Sequence, residues 1–228
     1  MMSMQIMVIN GDPKKEGFIS GALEIVAERI KAKGCEVKSV RLADVRIQDC
    51  LGCFTCLKTG DCPLNDDMKA IIGNMLASDG FVVGAPVRNG LTTACYKRFY
   101  ERITYLLGFT LLLEDKHTLA ISSVGFMGGE AVNRKCLGLQ DVFRTRLSDY
   151  LFFKVGIPAR FQPAQAKDRL ELAADRLAHN IATKARKGIF DRAAAAFDRL
   201  IIGKFMLMKN PEQYAHVIKC WRQKDYLP

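Results

Sequence analysis

Four cysteines fall close together, at Cys50, Cys53, Cys56 and Cys62, in the spacing C-x2-C-x2-C-x5-C. Three thiols two residues apart can converge on one small object, and soft thiolates select zinc, copper(I) or an iron–sulfur cluster. The tight triple spacing favours a cubane [4Fe–4S] over zinc, whose paired knuckles stand farther apart. Zinc, and thiols left free or paired, stay open as readings of the same residues. The remaining cysteines, Cys35, Cys95, Cys136 and Cys220, are scattered, and Cys35 and Cys95 fit small buried hydrophobes. The opening residues MMSMQIMVING carry no basic region ahead of their apolar stretch, so a first strand is expected there rather than a secretory leader. Clustered thiols without such a leader point to a reducing, cytoplasmic compartment and to metal or redox work, not to a disulfide framework.

A second group of residues is built from glycine-bearing loops. Residues 11–19 (GDPKKEGFI) follow the apolar run QIMVIN, residues 86–90 (PVRNG) follow FVVGA, and Val124–Glu130 (VGFMGGE) follows KHTLAIS. Backbone N–H groups at a helix start after such a loop can receive a phosphate. In the first loop Gly11, Lys14, Gly17 and Ser20 are the candidates for that contact. In the second, Pro86 fixes a dihedral, Gly90 allows close approach, and Val87, Arg88 and Asn89 lie between them. In the third, which opens at Ser123, the glycines Gly125, Gly128 and Gly129 permit backbone to lie against a planar ring.

The elements that must position these loops alternate along the chain. Strands are expected at Gln5–Asn10, Cys35–Leu42, Phe81–Ala85, Lys116–Ser122 and near Leu151–Ile157. Helical spacing of apolar residues covers Ser20–Lys33 (with Ser20 as cap), a segment from Asn65 or Asp66 through Leu76, Leu91–Leu107, Asn133–Tyr150 and Arg169–Ala185. Apolar strands joined by helical crossovers imply a parallel sheet covered on both faces, with ligands at the C-terminal strand ends. After Lys187 the character changes to an alanine run at Ala193–Ala196, the apolar Leu200–Met208 and a last helix expected from Pro211 to about Trp221. That tail is expected to pack on the domain or on a partner subunit, with a basic amphipathic membrane contact as the lesser alternative.

These loops resemble those of the flavodoxin-like NADPH-dependent FMN reductase family, and within it the iron–sulfur flavoproteins. The second loop, Gly84-Ala85-Pro86-Val87-Arg88-Asn89-Gly90, is similar to the family's G-S/A-P-V-Y-x-G. Lys97, Arg98, Phe99, Tyr100, Glu101 and Arg102 then follow the pattern K-x-F-x-D-R. Cys50, Gly52, Cys53, Cys56, Gly60 and Cys62, with Asp66, Asp67 and Met68 behind them, are similar to C-x-G-C-x-x-C-x-x-x-G-x-C before D-D-M. The resemblance implies a three-layer sandwich with a five-stranded parallel sheet in the order 2-1-3-4-5 over residues 1–187, and a C-terminal helical extension over 188–228. It also implies FMN, NAD(P)H as hydride donor to flavin N5, four cysteine ligands to [4Fe–4S], and a homodimer or homotetramer. A ferredoxin-linked iron–sulfur flavoprotein is the alternative, and a redox or metal-binding protein that has lost FMN is a third. No side chain is needed as acid or base for hydride transfer, so no catalytic residue is named.

The first loop departs from the family's G-S-x-R-x-x-G-N-T. Asp12 stands in place of serine, and Phe18 and Ile19 in place of an amide and a hydroxyl. A carboxylate then competes with a phosphate for the same donors. Composition narrows the other classes. The chain has 228 residues with 49% hydrophobic and 25% charged, which is a globular balance. No apolar run reaches the length of a membrane span. Thirty-four Lys and Arg face 24 Asp and Glu, and ten of the basic residues lie between Lys184 and Pro228. No nucleic-acid module accompanies this charge, so no nucleic-acid partner is expected. HExxH, G-x-S-x-G and the P-loop pattern are absent from the sequence, which leaves metalloprotease, hydrolase and NTPase readings without support.

Overall fold

Strand β1 (Gln5–Asn10) is apolar on both faces, and the fold uses both. Ile6 and Val8 pack into one core with α1 (Phe18–Ala32) and α7 (Lys167–Ala182). Met7 and Ile9 pack into the other with α3 (Met68–Ala77) and α4 (Ala94–Ile103). Alternate residues of a strand face opposite sides, so a continuous apolar run belongs in the middle of a sandwich. The computed structural model describes residues 4–185, 197, 199–202 and 207–227.

The sheet is parallel, in the order β2-β1-β3-β4-β5, as the sequence predicts. Its strands are β2 (Glu36–Arg41), β3 (Gly80–Pro86), β4 (His117–Val124) and β5 (Arg146–Lys154) besides β1. A short helix, α2 (Thr55–Thr59), lies within the cysteine loop between β2 and α3. Helices α5 (Glu130–Gly138) and α6 (Gln140–Phe143) connect β4 to β5, and α8 (Ala215–Arg222) lies near the C-terminus.

Several element boundaries differ from the sequence expectation. The helix expected over Asn133–Tyr150 is two short helices, because Leu139 (φ 55°), directly after Gly138, and Arg144 (φ 58°) adopt left-handed backbone. β5 therefore begins at Arg146 rather than Leu151. Its first half is polar and only half-buried, as suits a sheet edge. The helix expected over Leu91–Leu107 starts at Ala94, after the Thr93 side chain accepts the Tyr96 N–H, and passes into a π-helical turn at Thr104–Gly108. Helix α1 starts at Phe18, with Gly17 at its N-cap, so Ser20 is a buried first-turn residue and not the cap. The last helix starts at Ala215, not Pro211. The expected change of character after residue 187 and the alanine run 193–196 lie outside the described residues. Among the described residues no helix is long and apolar enough to cross a membrane.

Candidate functional site

Three loops leave the C-terminal ends of the adjacent strands β1, β3 and β4, and hydrogen bonds tie them together. The Gly11 N–H donates to Gly84 O (2.7 Å), the Thr93 hydroxyl to Gly11 O (2.6 Å) and the Val87 N–H to Ser123 O (2.7 Å). Gly129 (φ 73°) lies so close to Val87 that a Cβ there would sit 2.4 Å from a valine methyl. Only glycine fits that approach of the third loop to the second. Asn89 (φ 49°) and Gly90 (φ 77°) form the tip of a tight turn closed by reciprocal Arg88 and Leu91 backbone bonds, which holds the Arg88 side chain out to solvent. Thus Gly11, Pro86, Val87, Arg88, Asn89, Gly90, Ser123 and Gly129 share one end of the sheet. Gly125 lies on the same loop, against Ile157, and the open Gly128 adjoins Gly129.

The first loop is held from inside. Asp12 is buried; its N–H donates to Asn10 Oδ1 (2.8 Å) and its Oδ1 accepts the Lys14 N–H (3.0 Å). Gly17 packs directly on its Oδ2. The Ser20 hydroxyl donates to Lys14 O (2.9 Å) and accepts from Asn10 Nδ2 (3.0 Å), so it shapes the loop rather than standing free. Phe18 turns away to pack on Phe153 and Phe161, with ring centroids 5.0 and 5.7 Å apart. The backbone N–H groups of Gly17, Phe18 and Ile19 have no protein acceptor among the described residues. Asp12 therefore takes one donor of the loop and leaves the first turn of α1 open to an anion. Asn10, Arg41 (whose guanidinium holds Pro13 O at 3.0 Å) and Thr93 support this loop without having been anticipated. The sequence signal for them is weak, since each is a common polar residue at a strand or helix end.

The cysteine loop leaves the C-terminal end of β2, at the same end of the sheet. Cys50, Cys53, Cys56 and Cys62 line a single cavity together with Leu51, Phe54, Leu64, Ile72, Arg102, Tyr105 and Leu106. Burial pushes the Cys56 thiol up to about 11, and charge on Cys62, Cys50 and Cys53 adds to the rise. The Thr55 hydroxyl and N–H pull exposed Cys53 the other way. Gly60 (φ 83°) ends α2, and His216 of α8 fills the space where its Cβ would be. The tail thus closes over the loop, and Leu57, Leu111, Val217, Ile218 and Trp221 make a separate small core there. Among the described residues no group of three or more His, Cys, Asp or Glu is arranged to hold a metal ion.

Sequence reasoning named Asp66 and Arg102 only as motif positions and gave them no role; their side chains form an ion pair 0% and 1% exposed beside Cys62. The available signal was spacing: Arg102 shares a buried helix face with Tyr96, Phe99 and Ile103.

The arrangement defines a flavodoxin-like fold of the kind that binds flavin at its C-terminal strand ends. Residues 4–143 match the family model of NADPH-dependent FMN reductases, and the chain belongs to that family. It is similar to an iron–sulfur flavoprotein of Archaeoglobus fulgidus, 36% identical over 99 residues, which are 43% of this chain and 48% of that one. The chain thus spans about half the length of that relative. An iron–sulfur flavoprotein of Clostridioides difficile is 25% identical over 229 residues, 98% of this chain and all of the relative. Among solved structures, a flavone reductase superposes with a TM-score of 0.62 at 17% identity, covering 78% of this chain and 63% of that one. RosB, solved with 8-demethyl-8-formylriboflavin-5'-phosphate, gives 0.60 at 14% identity, covering 86% and 87%. These structural likenesses establish the fold.

Proposed function

We propose that this chain passes electrons from NAD(P)H through FMN to a further acceptor. The observation that carries the reading is the set of three glycine-bearing loops stitched together at the ends of β1, β3 and β4. The residues present fit FMN. The N–H groups of Gly17, Phe18 and Ile19 with Lys14 would hold the phosphate; Pro86–Gly90 and Ser123–Gly129 would flank the ring. FMN supplies the hydride and single-electron chemistry, while the chain supplies orientation and charge. Arg88, presented by its turn, can stack on a ring or pair with anionic charge. The open first turn of α1 weighs against the reading in which FMN has been lost. Exposed Phe126 and Met127 on the third loop are in keeping with a homo-oligomer, and the division into a flavin domain to residue 187 and a helical extension belongs to the same reading. Anaerobically purified protein should carry FMN that NADPH or NADH bleaches at 450 nm on the order of seconds. Protein that neither retains nor rebinds FMN would overturn it.

The cysteine cavity favours a second component of the same reading. Four thiols around a common space suit a polynuclear cluster, whose iron corners spread their ligands farther apart than one ion does. We read Cys50, Cys53, Cys56 and Cys62 as ligands to [4Fe–4S], with zinc as the competitor that metal analysis would reveal. A ferredoxin-type protein is then an alternative electron donor or acceptor, in a reducing cytoplasmic setting. Iron and sulfide quantified after anaerobic reconstitution decide this component separately from the flavin.

A further inference from the structure

A cation buried beside a cysteine needs a reason, because taking a guanidinium out of water is costly unless its donors are all used. Arg102 uses both of its Nη groups on the two ends of one loop. Its Nη1 donates to Gln48 O (2.9 Å) and to Asp66 Oδ2, and its Nη2 to Asp66 Oδ1 (3.2 Å) and to Cys62 Sγ (3.4 Å). Asp66 in turn accepts the N–H groups of Gln48 (2.8 Å) and Met68 (3.1 Å). Gln48 precedes the first cysteine and Asp66 follows the last, so this fork closes the loop at its base. Helix α4 carries the fork rigidly: Tyr96, Phe99 and Ile103 bury the same face of that helix. Arg102 is thus the one charged donor that touches a cysteine sulfur of the cavity among the described residues.

We propose that Arg102, locked by Asp66, is a positioning residue for the cysteine centre. It fixes Cys62 in place and, through its charged N–H···S contact, sets the reduction potential of whatever cluster the four thiolates hold. This rests on the iron–sulfur reading above. A hydrogen bond from a cation to a ligating sulfur favours the more negatively charged, reduced state, and outer partners of this kind also govern retention of the metal. Lysine cannot replace the arginine here. A single ammonium on a flexible stem can pair with Asp66 but cannot also reach Cys62 and Gln48 in a fixed fork.

The test uses the full chain, reconstituted anaerobically with iron and sulfide, as wild type, Arg102→Lys and Asp66→Asn. Circular dichroism selects conditions in which each is folded. Arg102→Lys should load iron, show a midpoint potential below wild type in a dye-coupled titration, and lose iron to a chelator at least threefold faster. Asp66→Asn should shift the potential the opposite way, because it removes the negative charge that offsets Arg102. Opposite shifts would not arise from a role in folding alone. Equal potentials and equal iron-loss rates for wild type and Arg102→Lys overturn the proposal while leaving the cluster reading intact. Wild type that takes up no iron overturns both. If Asp66→Asn does not fold, the Arg102→Lys comparison decides alone.

Discussion

Asp12 shows how a single side chain can both build a site and weaken it. Its carboxylate holds the Lys14 N–H and packs on Gly17, so it stiffens the first loop. The same charge repels a phosphate arriving at the neighbouring N–H groups. Asp12→Asn keeps an acceptor for Lys14 and removes the charge. A hydrogen bond to a charged group is worth about 1.5–3 kcal/mol, so FMN should bind roughly tenfold tighter to the variant. Riboflavin, lacking the phosphate, should change little; equal changes for both ligands in a titration of apoprotein would show that Asp12 does not face the phosphate. Asp66 gives a pH-dependent counterpart. Burial opposes its charge, yet Arg102 and the Gln48 and Met68 N–H groups hold its carboxyl below the ordinary range. A carboxylate with a lowered folded value stabilises fully above its unfolded value of about 3.9, and that contribution fades as pH falls through the folded value. Asp66→Asn should therefore cost about 3–5 kcal/mol near neutrality, with the gap to wild type shrinking below about pH 4 in urea titrations. A gap that stays constant down to pH 3 would contradict the assignment. At this scale the cysteines were legible because their type and spacing are rare together. Asp66 and Arg102 were legible as motif positions but not as a buried pair, because charged residues read as solvated surface until the fold places them inside.

Elements were legible where burial was uniform and obscure where it was mixed. β1 and β3 are apolar throughout and were placed to within a residue or two at each end. β5 was misplaced because its outer half carries Arg146, Ser148 and Asp149, which a sheet edge tolerates. The break between α5 and α6 rests on Leu139 and Arg144 in a conformation that residues of their kind seldom adopt, and Gly138 beside Leu139 was its one local signal. The tail helix was legible as amphipathic, but its partner was not. It packs on α2, and Trp221 donates its indole N–H to Phe109 O at 2.7 Å. Trp221 is the only tryptophan in the chain and is 1% exposed. Its emission therefore reports directly on whether α8 is docked. The core beneath α8 is small and separate from the two that cover the sheet. Regions with fewer buried contacts open first, so the fluorescence transition in urea should precede the far-ultraviolet circular dichroism transition. Coincident transitions would mean that tail and sheet unfold as one unit.

Across the whole molecule, α4 is the part that both sites share. Its N-terminal end meets the glycine-bearing loops through Thr93 and Gly11, and its C-terminal end meets the cysteine loop through Arg102. Arg102 lies nine residue steps beyond Thr93, about 14 Å at the rise of an α-helix. Such a strut fixes the two sites relative to each other without giving them common ligands. Sites farther apart than about 10 Å with no shared partners contribute additively. Replacing Cys56 with serine should thus abolish iron retention while changing the FMN dissociation constant less than twofold. Asp12→Asn should tighten FMN without altering iron content, and the double variant should show both effects at full size. Iron per chain and flavin titration on the same preparations supply the comparison. If losing the cysteine centre also weakened FMN tenfold, the sites would be coupled through α4, and the shift of Arg102 would be the first place to look. If neither variant acted on its own site, the assignment of two centres to two loops would fail together.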